Sequence, residues 1–273
     1  MSIIYPNGAG DTLGDQLVTC KPLYSSGSIW YVNSNGGVDG ASQAGKNREK
    51  PLATLAQALT NSADNDIIEL MSGHVETSPG PWTVAKKVII VGGGSAGGKP
   101  TVKLNGSGAG TGVRINITVD NVEIRNIWFP AATGALAASI SVVIGGLLSR
   151  VKNCYFELGA SDTSGIRYAA AANTGRIVNT TFISVATLVT QQPTDAVEFL
   201  GAVNDLELDG VVFNSGTVGF SSPQAFNVAG NQLLRLKAEN VSLLQGADWT
   251  SAIAGTTGFL NPQISTGGSR VDF

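Results

Sequence analysis

Along the middle of the chain one pattern of apolar and polar positions returns five times: an apolar residue, a spacer, a pivot, two further residues and a large apolar side chain. It reads Ile124, Asn126, Phe129; Val151, Asn153, Phe156; Ile177, Asn179, Phe182; Leu208, Gly210, Phe213; and Ala238, Asn240, Leu243. The pivots stand roughly 30 residues apart, the spacing of stacked repeat units. A unit of that size cannot bury its own apolar face, so neighbouring units must stack into one core. Each is read as a strand, a short bend and a second strand, as in Gly112 to Ile117 followed by Val122 to Phe129. The variable lengths fall at one corner, after each large apolar residue. Short strands at this period, with no crossover helices between them, stack in parallel only if the chain coils as a helix of strands. The pattern therefore predicts an all-β parallel β-helix of about seven turns, a rod on the order of 35 Å long at the strand spacing of a sheet.

The segments outside the repeat read differently. Residues 1–28 are polar and glycine-rich with little periodicity, and form an arm that needs a partner to become ordered. Ile29 to Asn33 reads as a first strand, and Ser34 to Glu49 as a loop. Leu52, Leu55, Ala56 and Leu59 recur at helical spacing after Pro51, predicting one short amphipathic helix near 51–61. That helix is placed to cover the N-terminal edge of the stack. The expected organisation is an arm at 1–28, a parallel β-helix at 29–245 and a tail at 246–273.

Composition sharpens this picture. Charged residues make up 14% of the 273, glycine is frequent at 35, and there are two Met and one His. That balance suits sheet with many tight turns. The net charge of −3 comes from scattered residues, which argues against nucleic acid as a partner. No apolar run is long enough to span a bilayer, and Met1 to Pro6 lacks the layout of a signal peptide. The expectation is synthesis in a host cytoplasm. Cys20 and Cys154 are expected as free thiols.

Trp30 to Gly37, Asp39 and Gly40, Lys50 to Leu59, and Asp66 to Leu70 with Gly73 and His74 together resemble the entry segment of right-handed parallel β-helix proteins of the pectin-lyase-like type. Such segments are common in bacteriophage virion proteins. The resemblance covers about residues 29 to 75, and the repeat agrees with the fold it implies. One fold hosts many functions, so function must be argued from the site.

The family includes glycoside hydrolases, whose chemistry needs paired carboxylates. Asp205, Glu207 and Asp209 alternate along one strand, with Asp195 and Glu198 one strand earlier and Asp162 in a loop one turn away. They are the weak catalytic alternative, as the lining of a shallow acidic groove. The competing reading, which we favour, puts Leu206 and Leu208 inside and the acids outside for solubility. The calcium-binding Asp cluster of the family's lyases is absent, and one His excludes a His cluster for zinc. No metal and no cofactor are expected. Asn126, Asn153, Asn179 and Asn240 read as a structural ladder of stacked amides, with Gly210 as its gap; two of them fall in sequons that the ladder reading takes away from glycosylation. Gly92 to Lys99 resembles a phosphate loop but lacks the strand, loop and helix context, and reads as a wide turn.

The function expected is that of a non-enzymatic bacteriophage virion protein: a capsid decoration or cement protein, homotrimeric, on the capsid exterior. Its partner would be the major capsid protein, held through Ile3, Ile4, Tyr5 and Leu17 of the arm. The alternative is a tailspike-like protein that binds or cleaves a host surface glycan, with Trp249, Phe220 and Tyr168 as sugar-stacking candidates.

Overall fold

The computed structural model describes residues 27–40, 44–77, 80–106, 112–132, 139–169, 174–187, 193–200, 203–214, 216, 226–227, 233–244, 264–266 and 269–271. The chain is an all-β parallel β-solenoid with very little helix. Three parallel walls wrap one core. The first holds Ile29–Val32, Ile67–Leu70, Ile89–Gly92, Glu123–Arg125, Ser149–Lys152, Thr174–Val178, Val203–Asp209 and Leu233–Glu239. The second runs from Val75–Thr77 through Lys103–Asn105, Trp128–Phe129, Tyr155–Leu158, Thr181–Ser184 and Val212–Asn214 to Val241–Leu244, and the third includes Val113–Ile117, Ser139–Ile144, Asp162–Tyr168 and Asp195–Phe199. About four consecutive turns, between Val113 and Asn214, present all three walls.

The second strand read from the sequence is in fact two. Every pivot breaks it with a left-handed backbone: φ is 53° at Asn126, 52° at Asn153, 46° at Asn179, 63° at Gly210 and 53° at Asn240. Asn and Gly are the residues that adopt this conformation at least cost. The bend turns the chain from the first wall to the second, which is why the apolar residue before the pivot and the one after it face the same core. The N–H of Asn126, Asn153, Asn179 and Gly210 then donates to a carbonyl on the next turn, as Asn126 does to Lys152 at 2.9 Å and Asn179 to Asp209 at 2.7 Å.

Register makes the core a set of columns. On the first wall Ile68, Ile90, Ile124, Val151, Ile177, Leu208 and Ala238 align turn upon turn, all buried. On the second, Phe129, Phe156, Phe182 and Phe213 stack with centroids 4.7, 4.8 and 5.3 Å apart and ring planes within 10°. The spacing of parallel strands matches the stacking distance of rings. Tyr168 and Phe199 repeat the arrangement on the third wall at 5.2 Å.

The helix spans Leu55–Asn61, shorter than the periodicity predicts, because Leu52 is taken by a parallel bridge to Val32. Thr54 caps it, its Oγ1 accepting from the Gln57 N–H at 3.2 Å. Leu55 and Ala58 are its buried residues. Two distant side chains complete its ends. Glu76 Oε2 accepts the Leu55 N–H at 2.8 Å, and Lys86 Nζ donates to the carbonyls of Leu59 and Thr60 at 3.1 and 2.9 Å. A carboxylate at the first turn and a cation at the last both suit the helix dipole.

The glycine-rich stretch after Ile89–Gly92 is a small hairpin, Ser95–Ala96 against Lys99–Pro100, turned by Gly97 and Gly98, both with positive φ. It brings Lys99 onto the outside of the second wall. There the ammonium lies 4.7 Å from the Trp128 ring centroid, 4.3 Å from that of Tyr155 and 2.8 Å from Glu157 Oε1.

Candidate functional site

The acids named from the sequence do not share one surface. Asp205, Glu207 and Asp209 lie on the outer face of the first wall, with Leu206 and Leu208 buried behind them. Asp195 and Glu198 stand on the third wall. Asp195 keeps the inward phase of Val197 and Phe199 and is fully buried. The shallow acidic groove of the weak catalytic alternative needs these acids on one surface, and consecutive strands belong to different walls.

Glu198 and Glu207 are held by cations. Glu198 Oε2 accepts from Arg167 Nε at 2.7 Å and from Ser164 Oγ at 3.2 Å. Glu207 is shared by Arg176 Nε at 2.9 Å and Lys237 Nζ at 3.4 Å, and Asp209 Oδ1 accepts the Asn240 amide at 3.1 Å. A carboxylate neutralised in this way is a poor general base, and a pair on separate walls cannot flank one bond.

Asp162 is not in a loop. It opens the strand Asp162–Tyr168 and is buried. Oδ2 accepts the Gly159 and Ala132 N–H groups at 2.8 and 3.0 Å, and Oδ1 lies 3.3 Å from an Arg114 terminal nitrogen. Arg114 is itself buried, and it also donates to the Leu104 carbonyl at 3.4 Å. Burial raises the Asp162 carboxyl above its ordinary range despite Arg114, and lowers Arg114 below its own. The pair is costly to hold and links the strands Val113–Ile117 and Asp162–Tyr168 across the strand between them.

Outside the first wall the charges form a ladder in strict register: Glu123, Arg150, Arg176, Glu207, Lys237. Glu123 also receives Arg125 and, at 3.1 Å, Lys152. Burial alone would raise the Glu123 carboxyl, but Arg125 and Lys152 together outweigh it and hold it below its ordinary value of 4.5. A carboxylate depressed in the fold stabilises above its unfolded pKa, and that contribution disappears as pH falls through the folded one. Glu123→Gln should accordingly be less stable than the parent near neutrality, with the gap closing as pH drops below about 4.5. Melting temperatures of both proteins across that range check this; a gap independent of pH would contradict it.

The lone histidine joins three elements. Its Nδ1 accepts the Ser34 N–H at 2.9 Å, which leaves Nε2 as the protonated nitrogen, 3.1 Å from the Glu76 oxygen that also caps the helix. This is a positioning network, with no substrate-facing group. Cys154, one residue past its pivot, is a buried free thiol pushed up to about 12 by burial, and so inert. Among the sugar-stacking candidates, Tyr168 is buried in the core against Phe199 and cannot meet a sugar. Trp249 and Phe220 lie outside the described residues, as do Cys20 and the arm residues Ile3, Ile4, Tyr5 and Leu17. Among the described residues no three His, Cys, Asp or Glu side chains gather as a metal site.

Of the pivots, Asn126 donates its side-chain amide to the Gly92 and Gly94 carbonyls at 2.7 and 3.0 Å. Gly210 is no defect in the column, since it adopts the same backbone as the asparagines. Compared with known proteins, the chain matches no family model and no curated protein.

Proposed function

We propose that the chain is a non-enzymatic structural protein of a bacteriophage virion, a homotrimeric capsid decoration protein whose N-terminal arm grips the major capsid protein on the outside of the shell. In this reading the solenoid has about seven turns when the flanking strands are included, the helix Leu55–Asn61 covers its N-terminal end, and the pivot asparagines serve as its ladder. The observation that carries the proposal is the fate of the acids. Glu198, Glu207 and Asp162 are bound to Arg167, Arg176 and Arg114 on different parts of the coil, which favours a scaffold over a hydrolase. A rigid rod of stacked columns suits a knob standing on a local threefold axis, and an arm that binds only the assembled shell stabilises it by mass action.

Quantitative mass spectrometry of purified particles, with a solution mass of the free protein, tests this. The expected result is a fixed copy number per head and three chains per assembly. Absence from particles, or a monomer in solution, would count against it. Release of reducing ends from host polysaccharide would instead favour the tailspike alternative.

A further inference from the structure

A cavity of about 480 Å³ opens on the outer face of the first wall, lined by Leu148, Arg150, Thr174, Arg176, Glu207 and Lys237 among others. Its volume lies in the range of sites for small organic ligands. Two observations set it apart from the rest of the wall.

The first is electrostatic. Along the ladder the signs would alternate but for one step, where Arg150 and Arg176 are direct register partners on adjacent parallel strands. Like charges placed opposite each other are unfavourable. The register carboxylates on either side, Glu123 and Glu207, are each shared among several cations. Glu123, the only described partner of Arg150, is 3.9 Å away and already holds Arg125 and Lys152; Glu207 is divided between Arg176 and Lys237. Asp205 also lines the cavity, on the rung of Thr174. The Arg150 side chain remains 52% exposed.

The second is steric. Leu148, at the cavity's rim, has φ of 56° and is 48% exposed. The corresponding position one turn earlier is Asn121, with φ of 58°, a residue that takes this conformation readily. A leucine there is both strained and wet. Backbone strain held at the mouth of a cavity is a feature of ligand-binding sites.

We infer that this cavity binds a small organic oxyanion, a phosphate or sulfate ester of about monosaccharide size, whose anionic group bridges Arg150 and Arg176 and whose carbon skeleton rests on Leu148. Guanidinium forks match the oxygens of such a group, and the anion removes the repulsion between the two rungs. The Thr174 hydroxyl and Glu207 carboxylate supply partners for sugar hydroxyls. The site is independent of capsid binding, so failure of either claim leaves the other standing.

Calorimetric titration of the full chain with glucose 6-phosphate, glucose 6-sulfate, inorganic phosphate and glucose, at constant ionic strength, tests the site. At least one ester binds, more tightly than inorganic phosphate, and glucose does not. Arg150→Gln and Arg176→Gln each weaken the ester by about tenfold or more, the value of a charged hydrogen bond. Arg150→Lys and Arg176→Lys, which keep the charge and lose the fork, weaken it too, and melting curves confirm that they are folded. Leu148→Ser weakens the ester and leaves inorganic phosphate unchanged, while Lys152→Gln alters neither. The inference is overturned if neither ester binds, if inorganic phosphate binds as tightly as the esters, or if the arginine variants retain the parent affinity.

Discussion

Phe156→Ala is expected to lower the free energy of unfolding by about 3–5 kcal/mol, the cost of truncating a buried aromatic in a core that cannot collapse around the void. The position is central to the second wall. Its ring is stacked at 4.7 Å on Phe129 and at 4.8 Å on Phe182, so truncation leaves both neighbours with an open face. Relaxation is limited, because the backbone on either side is fixed in register by Tyr155 pairing with Trp128 and Thr181. Phe156→Leu keeps most of the volume and should cost no more than about 1.5 kcal/mol. Urea unfolding of the three proteins decides it. Equal midpoints for the parent and the alanine variant would mean that the phenylalanine column does not bear on stability.

Asp162→Ala is expected to cost a similar amount, about 3–5 kcal/mol, by a different route. The aspartate is the acceptor for the Gly159 and Ala132 N–H groups and the counter-charge for buried Arg114. Removing it strands a guanidinium in the interior together with two backbone donors. A double variant, Arg114→Met with Asp162→Ala, removes the stranded charge as well, so its loss should be clearly smaller than the sum of the two single losses. Denaturant midpoints for the four corners of this cycle measure the coupling. Strict additivity would show that the pair acts as two separate residues.

The solenoid was legible because its signal is periodic: an apolar column needs the same residue type at the same place in every turn, and Ile124, Val151, Ile177 and Leu208 supply it. The division between the first and second walls was harder to see. Alternation alone carries Val122 to Phe129 through as one strand, whereas four asparagines and a glycine at one position are the set that a left-handed bend selects. The same four asparagines also fit a ladder of stacked amides, which masks the bend. Other features left no local trace. Arg114 sits between apolar residues in a strand and reads as an outward charge, yet its partner is 48 positions away in sequence. Lys99 and Lys86 likewise take roles set by elements far along the chain, on Trp128 and Tyr155 in one case and at the end of the helix in the other. Asp205, Glu207 and Asp209 face outward as alternation predicts, whereas Asp195 and Glu198 lie on another wall, since strands adjacent in sequence face different directions when each turn has three walls.

The recurring asparagines, stacked rings and paired acids hold one coil together, and the proposed function assigns contact with a partner to the arm. The most direct measurement of that division compares the full chain with a chain lacking residues 1–28 for binding to purified phage heads stripped of the protein, by sedimentation and copy number. The account predicts that the shortened chain keeps the melting behaviour of the parent and no longer sediments with heads. Equal occupancy by both proteins would contradict it.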